Sequence, residues 1–150
     1  MPQSLAKNYI HIIFSTKQRQ PLIPIRFESE IHRYLSGTCE RLECNPVIAG
    51  GCSDHVHILC LLSKKIPLVS LVGQLKAYSS KWIKTKDESL KNFYWQDGYG
   101  AFSVNPSEID TVKTYIKDQH NHHQKKTFQD EYRIFLKKYN VEYDERYVWD

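Results

Sequence analysis

The stretch Asp54-His55-Val56-His57-Ile58-Leu59-Cys60-Leu61-Leu62 is typical of a buried β-strand, because it is almost continuously apolar after its first residues. Side chains two residues apart in a strand point to the same side of the sheet. We therefore expect His55 and His57 to emerge next to each other on one face. Two parallel imidazoles on a rigid strand form half of a metal site. One buried and one surface histidine is the simpler alternative.

The segments around this strand predict an α+β fold. Apolar residues have helix spacing in 26–43 and again from residue 68 to residue 82, whereas 9–14 and 47–52 have the composition of strands. A fourth strand is predicted near the end of 93–104. The resulting order, β-α-β-β-α-β, is that of a ferredoxin-like or RRM-like antiparallel sheet. Because this fold has many functions, it does not identify one.

Further helices follow this core. Asn105-Pro106-Ser107-Glu108 is a strong helix start, with Asn as N-cap and Pro in the first turn. The helix that begins there is predicted to run through 106–120, and another through about 127–138. We therefore expect one catalytic domain over 1–150, with a ferredoxin-like core at about 8–104 and additional C-terminal helices.

The composition permits a nucleic-acid partner without requiring one. The 150 residues suggest a single domain, and the net charge of +4 is mildly basic. The four cysteines show no CxxC spacing, so reduced thiols are expected. A signal peptide and an apolar run long enough to span a bilayer are both missing, which predicts a cytoplasmic protein.

The third predicted helix carries a second pair of polar side chains. Tyr115 and Gln119 are four residues apart and therefore share one helix face. A phenol, with a pKa of about 10, is a poor nucleophile at neutral pH unless a nearby cation stabilises its charge. Gln supplies a neutral oxygen ligand. The simpler alternative is a tyrosine packed at the edge of the core and a glutamine that faces water.

In combination, these motifs resemble a known family. The segments 11–17, 55–57, 98–104 and 115–119 are similar in type and order to those of single-tyrosine transposases of small bacterial insertion sequences, including the REP-associated tyrosine transposases. These proteins belong to the HUH endonuclease superfamily, named for its His-hydrophobic-His motif. The resemblance covers roughly residues 8 to 138.

The resemblance implies a reaction and a role for each matching residue. His55, His57 and Gln119 would hold a divalent cation, Mg²⁺ or Mn²⁺. Tyr115 would attack a phosphate of single-stranded DNA and remain attached as a 5′-phosphotyrosine, and the other fragment would leave with a free 3′-OH. That hydroxyl could later attack a phosphotyrosine and rejoin strands, so no ATP is needed.

The resemblance also implies partners. These are DNA hairpins at the ends of the mobile element and a second copy of the chain, in a homodimer whose tyrosine helix could act in trans. Five basic residues are candidates for phosphate contacts, although a solvated basic face is an equal alternative for each. They are Lys17, Arg19, Lys76, Lys81 and Lys84.

Four other histidines have less certain roles. His120, His122 and His123 could form a second metal site, but a solvated helix end is the simpler interpretation. His11, in the first strand, is expected either to orient a ligand or to be a hydrogen-bonded core histidine.

Three rival functions remain open from the residues alone. A non-catalytic ferredoxin-like nucleic-acid-binding module would form no covalent adduct with DNA. A metal-dependent hydrolase that activates water at His55 and His57 would not need Tyr115. A domesticated single-strand endonuclease would use the same chemistry for a purpose of the host.

Overall fold

The computed structural model, which describes residues 2–150, contains one four-stranded antiparallel sheet and five α-helices. The strands are β1 (Asn8–Ser15), β2 (Pro46–Gly51), β3 (His55–Leu62) and β4 (Gly100–Val104). The helices are α1 (Ile25–Arg41), α2 (Leu68–Ile83), α3 (Ile109–Lys117), α4 (Gln119–His122) and α5 (Phe128–Lys138). The sheet order is β2-β3-β1-β4. The predicted ferredoxin-like α+β fold with additional C-terminal helices is therefore confirmed.

One face of the sheet carries the main apolar core. Ile12 and Phe14 of β1 and Val56 and Ile58 of β3 are fully buried there. They pack with apolar side chains of α1 and α2, such as Leu35 of α1. Because strand side chains alternate, the residues between them must point to the opposite face.

The opposite face is crossed by a row of residues paired in register. Gly50 of β2 lies opposite His57 of β3, His57 opposite Ile13 of β1, and Ile13 opposite Gly100 of β4. The pairing places His57 near the middle of the sheet, with a glycine at each edge. The two glycines determine how closely the C-terminal helices approach.

Each glycine is covered by a different helix. A Cβ atom on Gly50 would lie 2.8 Å from the backbone oxygen of Ile116 in α3, and a Cβ on Gly100 would lie 2.6 Å from the ring of Tyr132 in α5. Both distances are too short for a side chain. Glycine at these two positions therefore allows α3 and α5 to pack directly over the histidine row.

The third predicted helix begins as expected but ends early. The side chain of Asn105 accepts a hydrogen bond from the backbone N–H of Ser107 at 2.9 Å, and a short 3₁₀ turn leads into α3. We expected one helix through about residue 120. Instead, the backbone leaves helical geometry at Asp118 (φ −101°, ψ 26°) and Gln119 begins the separate short helix α4.

Two further expectations concern cysteines and membranes. All four cysteines are free and buried, as predicted. Within the described residues, no helix combines the length and apolar character needed to cross a membrane.

Candidate active site

Strand β3 presents both motif histidines to the face that α3 and α5 cover. The side chains of His55 and His57 are fully buried, and their ring centroids are 5.1 Å apart. The alternation of the strand thus brings the two imidazoles together as the sequence predicts. Neither of them is the surface histidine of the simpler alternative.

His55 is held between two polar side chains. Its Nδ1 is 2.7 Å from Oδ1 of Asp54 and its Nε2 is 2.9 Å from Oε1 of Gln119. A carboxylate only accepts, so the Nδ1–H donates to Asp54, and in a neutral ring the lone pair is then on Nε2. The amide nitrogen of Gln119 donates to the backbone oxygen of Tyr115 at 3.3 Å, which turns its carbonyl oxygen towards His55. Two electron-pair donors therefore face each other.

His57 has a similar arrangement with different partners. Its Nδ1 is 2.8 Å from Nε2 of His11, and its Nε2 is 2.8 Å from Oε1 of Glu131. Burial lowers the pKa of His57 despite the opposing effect of Glu131, and burial lowers the pKa of His11 well below its usual value. Both rings are therefore neutral at pH 7. His11 is therefore a buried, hydrogen-bonded histidine whose partner is a candidate ligand.

The Glu131 carboxylate comes from α5 and is only 4% exposed. Its Oε2 is 3.1 Å from Nε2 of His123. Burial would raise the pKa of Glu131, but the neighbouring imidazoles of His123 and His57 lower it far below its usual range. Burial likewise opposes protonation of His123, but Glu131 raises the pKa of that imidazole overall. Glu131 and His123 consequently form an ion pair beside the two motif histidines.

Tyr115 completes this group from α3. Its ring centroid is 5.9 Å from that of His57 and 4.6 Å from that of His122. Burial, reinforced by the negative charge of Glu131, raises the pKa of Tyr115 above its usual value. The phenol is therefore protonated at neutral pH and needs help to become a nucleophile.

The half-buried Tyr115 faces a cleft between α3 and α5. The cleft has a volume of about 390 Å³, and Tyr115, Glu131 and Phe135 contribute to its walls. Three exposed lysines also line it: Lys125, Lys126 and Lys138. An apolar floor with ammonium groups around it suits a ligand that has both flat apolar parts and phosphates.

The spacing of the donor atoms fits a hard divalent cation. In an octahedral site with metal–oxygen distances of about 2.1 Å, neighbouring ligand atoms are about 3 Å apart. The pairs His55 Nε2 with Gln119 Oε1 and His57 Nε2 with Glu131 Oε1 are separated by 2.9 Å and 2.8 Å. Ligand atoms of His55, His57 and Glu131 all lie within 4.8 Å of one another. These residues could therefore hold a metal ion.

Our sequence reasoning did not single out Glu131. The helix predicted at 127–138 has an apolar stripe that includes Phe128, Tyr132 and Phe135. Glu131 falls on the same face, three residues after Phe128 and four before Phe135. A lone acidic residue within a buried stripe was the available signal.

The histidine run after Gln119 has three different environments. His123 pairs with Glu131, whereas His122 packs against Tyr115. His120 lies on the other side, where its Nε2 is 2.8 Å from Oε1 of Glu28. Ligand atoms of Cys52, His55 and His123 also lie within 4.8 Å of one another. A fully solvated helix end is therefore not what this run forms.

The basic candidates of the α2 region lie across the sheet from Tyr115. The ammonium group of Lys76 in α2 donates to the backbone oxygens of residues 96, 97 and 98 at 2.6–2.9 Å, so this side chain holds a loop. Lys81 is on the same helix, whereas Lys84 is its C-cap residue and lies over the ring of Tyr94. Lys17 is exposed, and Arg19 lies 5.9 Å from the ring of Trp149. Because α2 covers the face opposite His57, its lysines are remote from the cleft.

Comparison with known proteins gives consistent matches. The sequence model of the family described as "Transposase IS200 like" matches residues 4–119. The transposase for insertion sequence element IS200 of Salmonella typhimurium is 28% identical over 114 residues, which cover 73% of this chain and 74% of that protein. The corresponding transposase of Salmonella typhi gives the same values.

Two solved structures share the fold. One, described as a transposase from Deinococcus radiodurans R1, has a TM-score of 0.61 and 19% identity, and the match covers 79% of this chain and 98% of that one. The other is a REP-associated tyrosine transposase bound to a REP hairpin, with a TM-score of 0.55 and 14% identity over 79% of this chain and 70% of that one. The family match spans most of the sequence and contains His55, His57, Tyr115 and Gln119. The chain belongs to the IS200-like transposase family.

Proposed function

We propose that this transposase cleaves and rejoins single-stranded DNA, with Tyr115 as the nucleophile. The observation that carries the proposal is the position of the Tyr115 ring, 5.9 Å from the ring of His57 and at the wall of an open cleft. A tyrosine beside a buried pair of candidate ligands fits nucleophilic attack on a phosphodiester better than it fits simple binding.

His55, His57 and Gln119 are the proposed ligands of a divalent cation, Mg²⁺ or Mn²⁺. When bound, the cation would supply Lewis-acid stabilisation of charge on the scissile phosphate and on the attacking phenol oxygen. Asp54 fixes the orientation of His55, and His11 that of His57. The Asp54 carboxylate accepts from the Nδ1–H of His55 and leaves its Nε2 free of a proton, which is the form that a ligand needs. Donation from the Nδ1–H of His57 to His11 would leave the Nε2 of His57 in the same form.

The proposed reaction is a transesterification. The phenol oxygen of Tyr115 forms a bond to phosphorus, and the bond from phosphorus to the 3′ oxygen breaks. The phenol loses its proton, and the departing oxygen gains one to become a free 3′-OH. Since one phosphoester replaces another, the reverse attack by a 3′-OH restores a DNA strand and releases Tyr115.

Hairpin DNA is the proposed substrate, because one structural relative is described as bound to a REP hairpin. We propose that the single-stranded flank enters the cleft, where Lys125, Lys126 and Lys138 would contact its phosphates. Lys17, Arg19, Lys81 and Lys84 remain candidates for the hairpin itself, whereas Lys76 already serves the fold.

We further propose that the active site assembles in cis. Tyr115 and His57 approach each other within one chain, so no second chain is needed to supply the tyrosine. Homodimer formation stays a prediction for sedimentation analysis. Mixing Tyr115→Phe with His57→Ala tests the assembly: cis assembly predicts no cleavage by the mixture, and restored cleavage would show assembly in trans.

Covalent trapping tests the nucleophile. The protein is incubated with single-stranded hairpin DNA and Mn²⁺, and the products are separated on a denaturing gel. We expect a shifted protein–DNA band with the wild type and none with Tyr115→Phe. Tyr78→Phe is the matched control, because Tyr78 is an exposed tyrosine on α2, and this variant should form the adduct normally.

The rival functions predict different results from the same experiment. A binding module gives no covalent band with any variant, and a hydrolase that activates water cleaves DNA with Tyr115→Phe as well as the wild type does. Cleavage retained by Tyr115→Phe would overturn the proposed function. A domesticated endonuclease would give the same band as an active transposase, and a strand-joining assay with element ends would separate the two.

A further inference from the structure

We infer that Glu131 is an additional ligand of the divalent cation, so that helix α5 completes the active site. This inference rests on the proposed function for the presence of a cation. It goes beyond the family match, because that match ends at residue 119 and Glu131 lies in α5. The argument uses contact geometry, burial and charge.

The contact between Glu131 and His57 is close but is not a hydrogen bond. Oε1 of Glu131 is 2.8 Å from Nε2 of His57, yet neither atom has a partner with hydrogen-bond geometry. Both atoms are buried, and a buried polar atom without a partner is unfavourable. Two electron-pair donor atoms that lie close together without a hydrogen bond between them can both contact a third atom. A cation would satisfy both.

The other carboxylate oxygen has a different task. Oε2 of Glu131 pairs with Nε2 of His123 at 3.1 Å, and Nδ1 of His123 is 2.9 Å from the backbone oxygen of Lys126. The His123 ring therefore holds the carboxylate plane in place from outside. This matches the general arrangement in which a ligating carboxylate is oriented by a second side chain.

The electrostatic environment also favours a ligand role. Glu131 is 4% exposed on the apolar face of α5, flanked by the buried residues Phe128 and Tyr132. A buried carboxylate is unfavourable unless positive charge compensates it. His123 lies against one carboxylate oxygen, and a divalent cation would compensate the charge at the other, Oε1.

The inferred site combines donors from three separate elements. His55 and His57 come from β3, Gln119 from α4 and Glu131 from α5. Three neutral ligands would bind Mg²⁺ or Mn²⁺ weakly, whereas a carboxylate oxygen is a preferred ligand of both ions. Glu131 should therefore contribute strongly to affinity.

Metal binding to DNA-free protein tests this inference. Isothermal titration with Mn²⁺ compares the wild type with Glu131→Gln and with Glu142→Gln, which removes the charge of an exposed glutamate. We expect Glu131→Gln to weaken binding at least about tenfold and Glu142→Gln to leave it unchanged. An affinity of Glu131→Gln within about threefold of wild type would overturn the inference.

A second variant keeps the test decisive if Glu131→Gln does not fold. Glu131→Asp retains the charge that pairs with His123 but shortens the reach by one methylene group. We expect its circular dichroism to match wild type and its Mn²⁺ affinity to fall. Unchanged affinity would again contradict a ligand role, and would leave Glu131 as a structural partner of His123.

The two proposals can fail separately. Loss of Mn²⁺ binding in the Glu131 variants is measured without DNA and does not depend on which group attacks the phosphate. Covalent trapping depends on Tyr115 and would fail alone if another nucleophile were used. A result against one therefore leaves the other standing.

Discussion

Gly50→Ala should impair catalysis more than it impairs folding. Gly50 lies beneath α3, where an added Cβ would be 2.8 Å from the backbone oxygen of Ile116 and 2.9 Å from its Cγ2 atom. Ordinary van der Waals contact begins at 3.4 Å. The helix must therefore move outward by roughly 0.6 Å or the strand must bend by a similar distance.

The displacement acts directly on the proposed nucleophile, because Tyr115 is the neighbour of Ile116 in α3. Overpacking of this size costs about 1–3 kcal/mol in the free energy of unfolding. A misplacement of about 1 Å at a reacting group can cost about 100-fold in rate, so a shift of about 0.6 Å should cost on the order of tenfold. We therefore expect a folded protein that cleaves DNA about ten times more slowly.

The assay is single-turnover formation of the covalent adduct at saturating DNA and Mn²⁺, with urea unfolding measured in parallel. Gly73→Ala is the matched control, because a Cβ at this position in α2 meets nothing within 4 Å. It should stabilise the fold by up to about 1 kcal/mol and leave the rate unchanged. A rate for Gly50→Ala within twofold of wild type would refute the reasoning.

Three further predictions concern ionisable side chains outside the candidate active site. Lys76→Met should lower the free energy of unfolding by about 2 kcal/mol, because three backbone oxygens lose their donor; an unchanged urea midpoint would contradict this. Lys81→Met should instead leave stability unchanged and reduce the slope of log affinity for DNA against log salt by about 1, which a salt titration measures. Burial lowers the pKa of His32 to about 4. Between about pH 6.5 and pH 4 the unfolded state therefore binds a proton that the folded state does not, and the free energy of unfolding decreases as the pH is lowered. When the pH is lowered from about 7 to about 5, the free energy of unfolding of His32→Phe should decrease by on the order of 1 kcal/mol less than that of wild type, as measured by urea unfolding. Equal decreases would refute the lowered pKa of His32.

The fold was largely predictable because its signals are local. Strand alternation in 54–62, helix spacing in 26–43 and the Asn105 cap each depend on nearby residues. The same local logic placed His55 and His57 on one face, and the structure shows their rings 5.1 Å apart. The short connection between β2 and β3 likewise joins two strands that are neighbours in the sheet.

The missing part of the candidate site depends on tertiary packing. Glu131 lies 74 residues after His57, and nothing in its own helix indicates which strand that helix will cover. Lys76 is similar, since its spacing on α2 does not reveal that a loop will supply three backbone oxygens to it. The break at Asp118 also has no sequence signal that we recognise, although it sets the position of Gln119.

The row of paired residues Gly50, His57, Ile13 and Gly100 makes the candidate site sensitive to the register of β3. A shift of β3 by one residue would turn both imidazoles into the apolar core and place Val56 and Ile58 among the polar groups of the other face. The same shift would also take His55 and His57 away from Gln119 and Glu131, which approach them from α4 and α5. Loss of the catalytic arrangement is thus coupled to loss of the core and of the helix contacts at the same time. A chain that reaches the stable fold therefore also has His55 and His57 in register at the candidate active site.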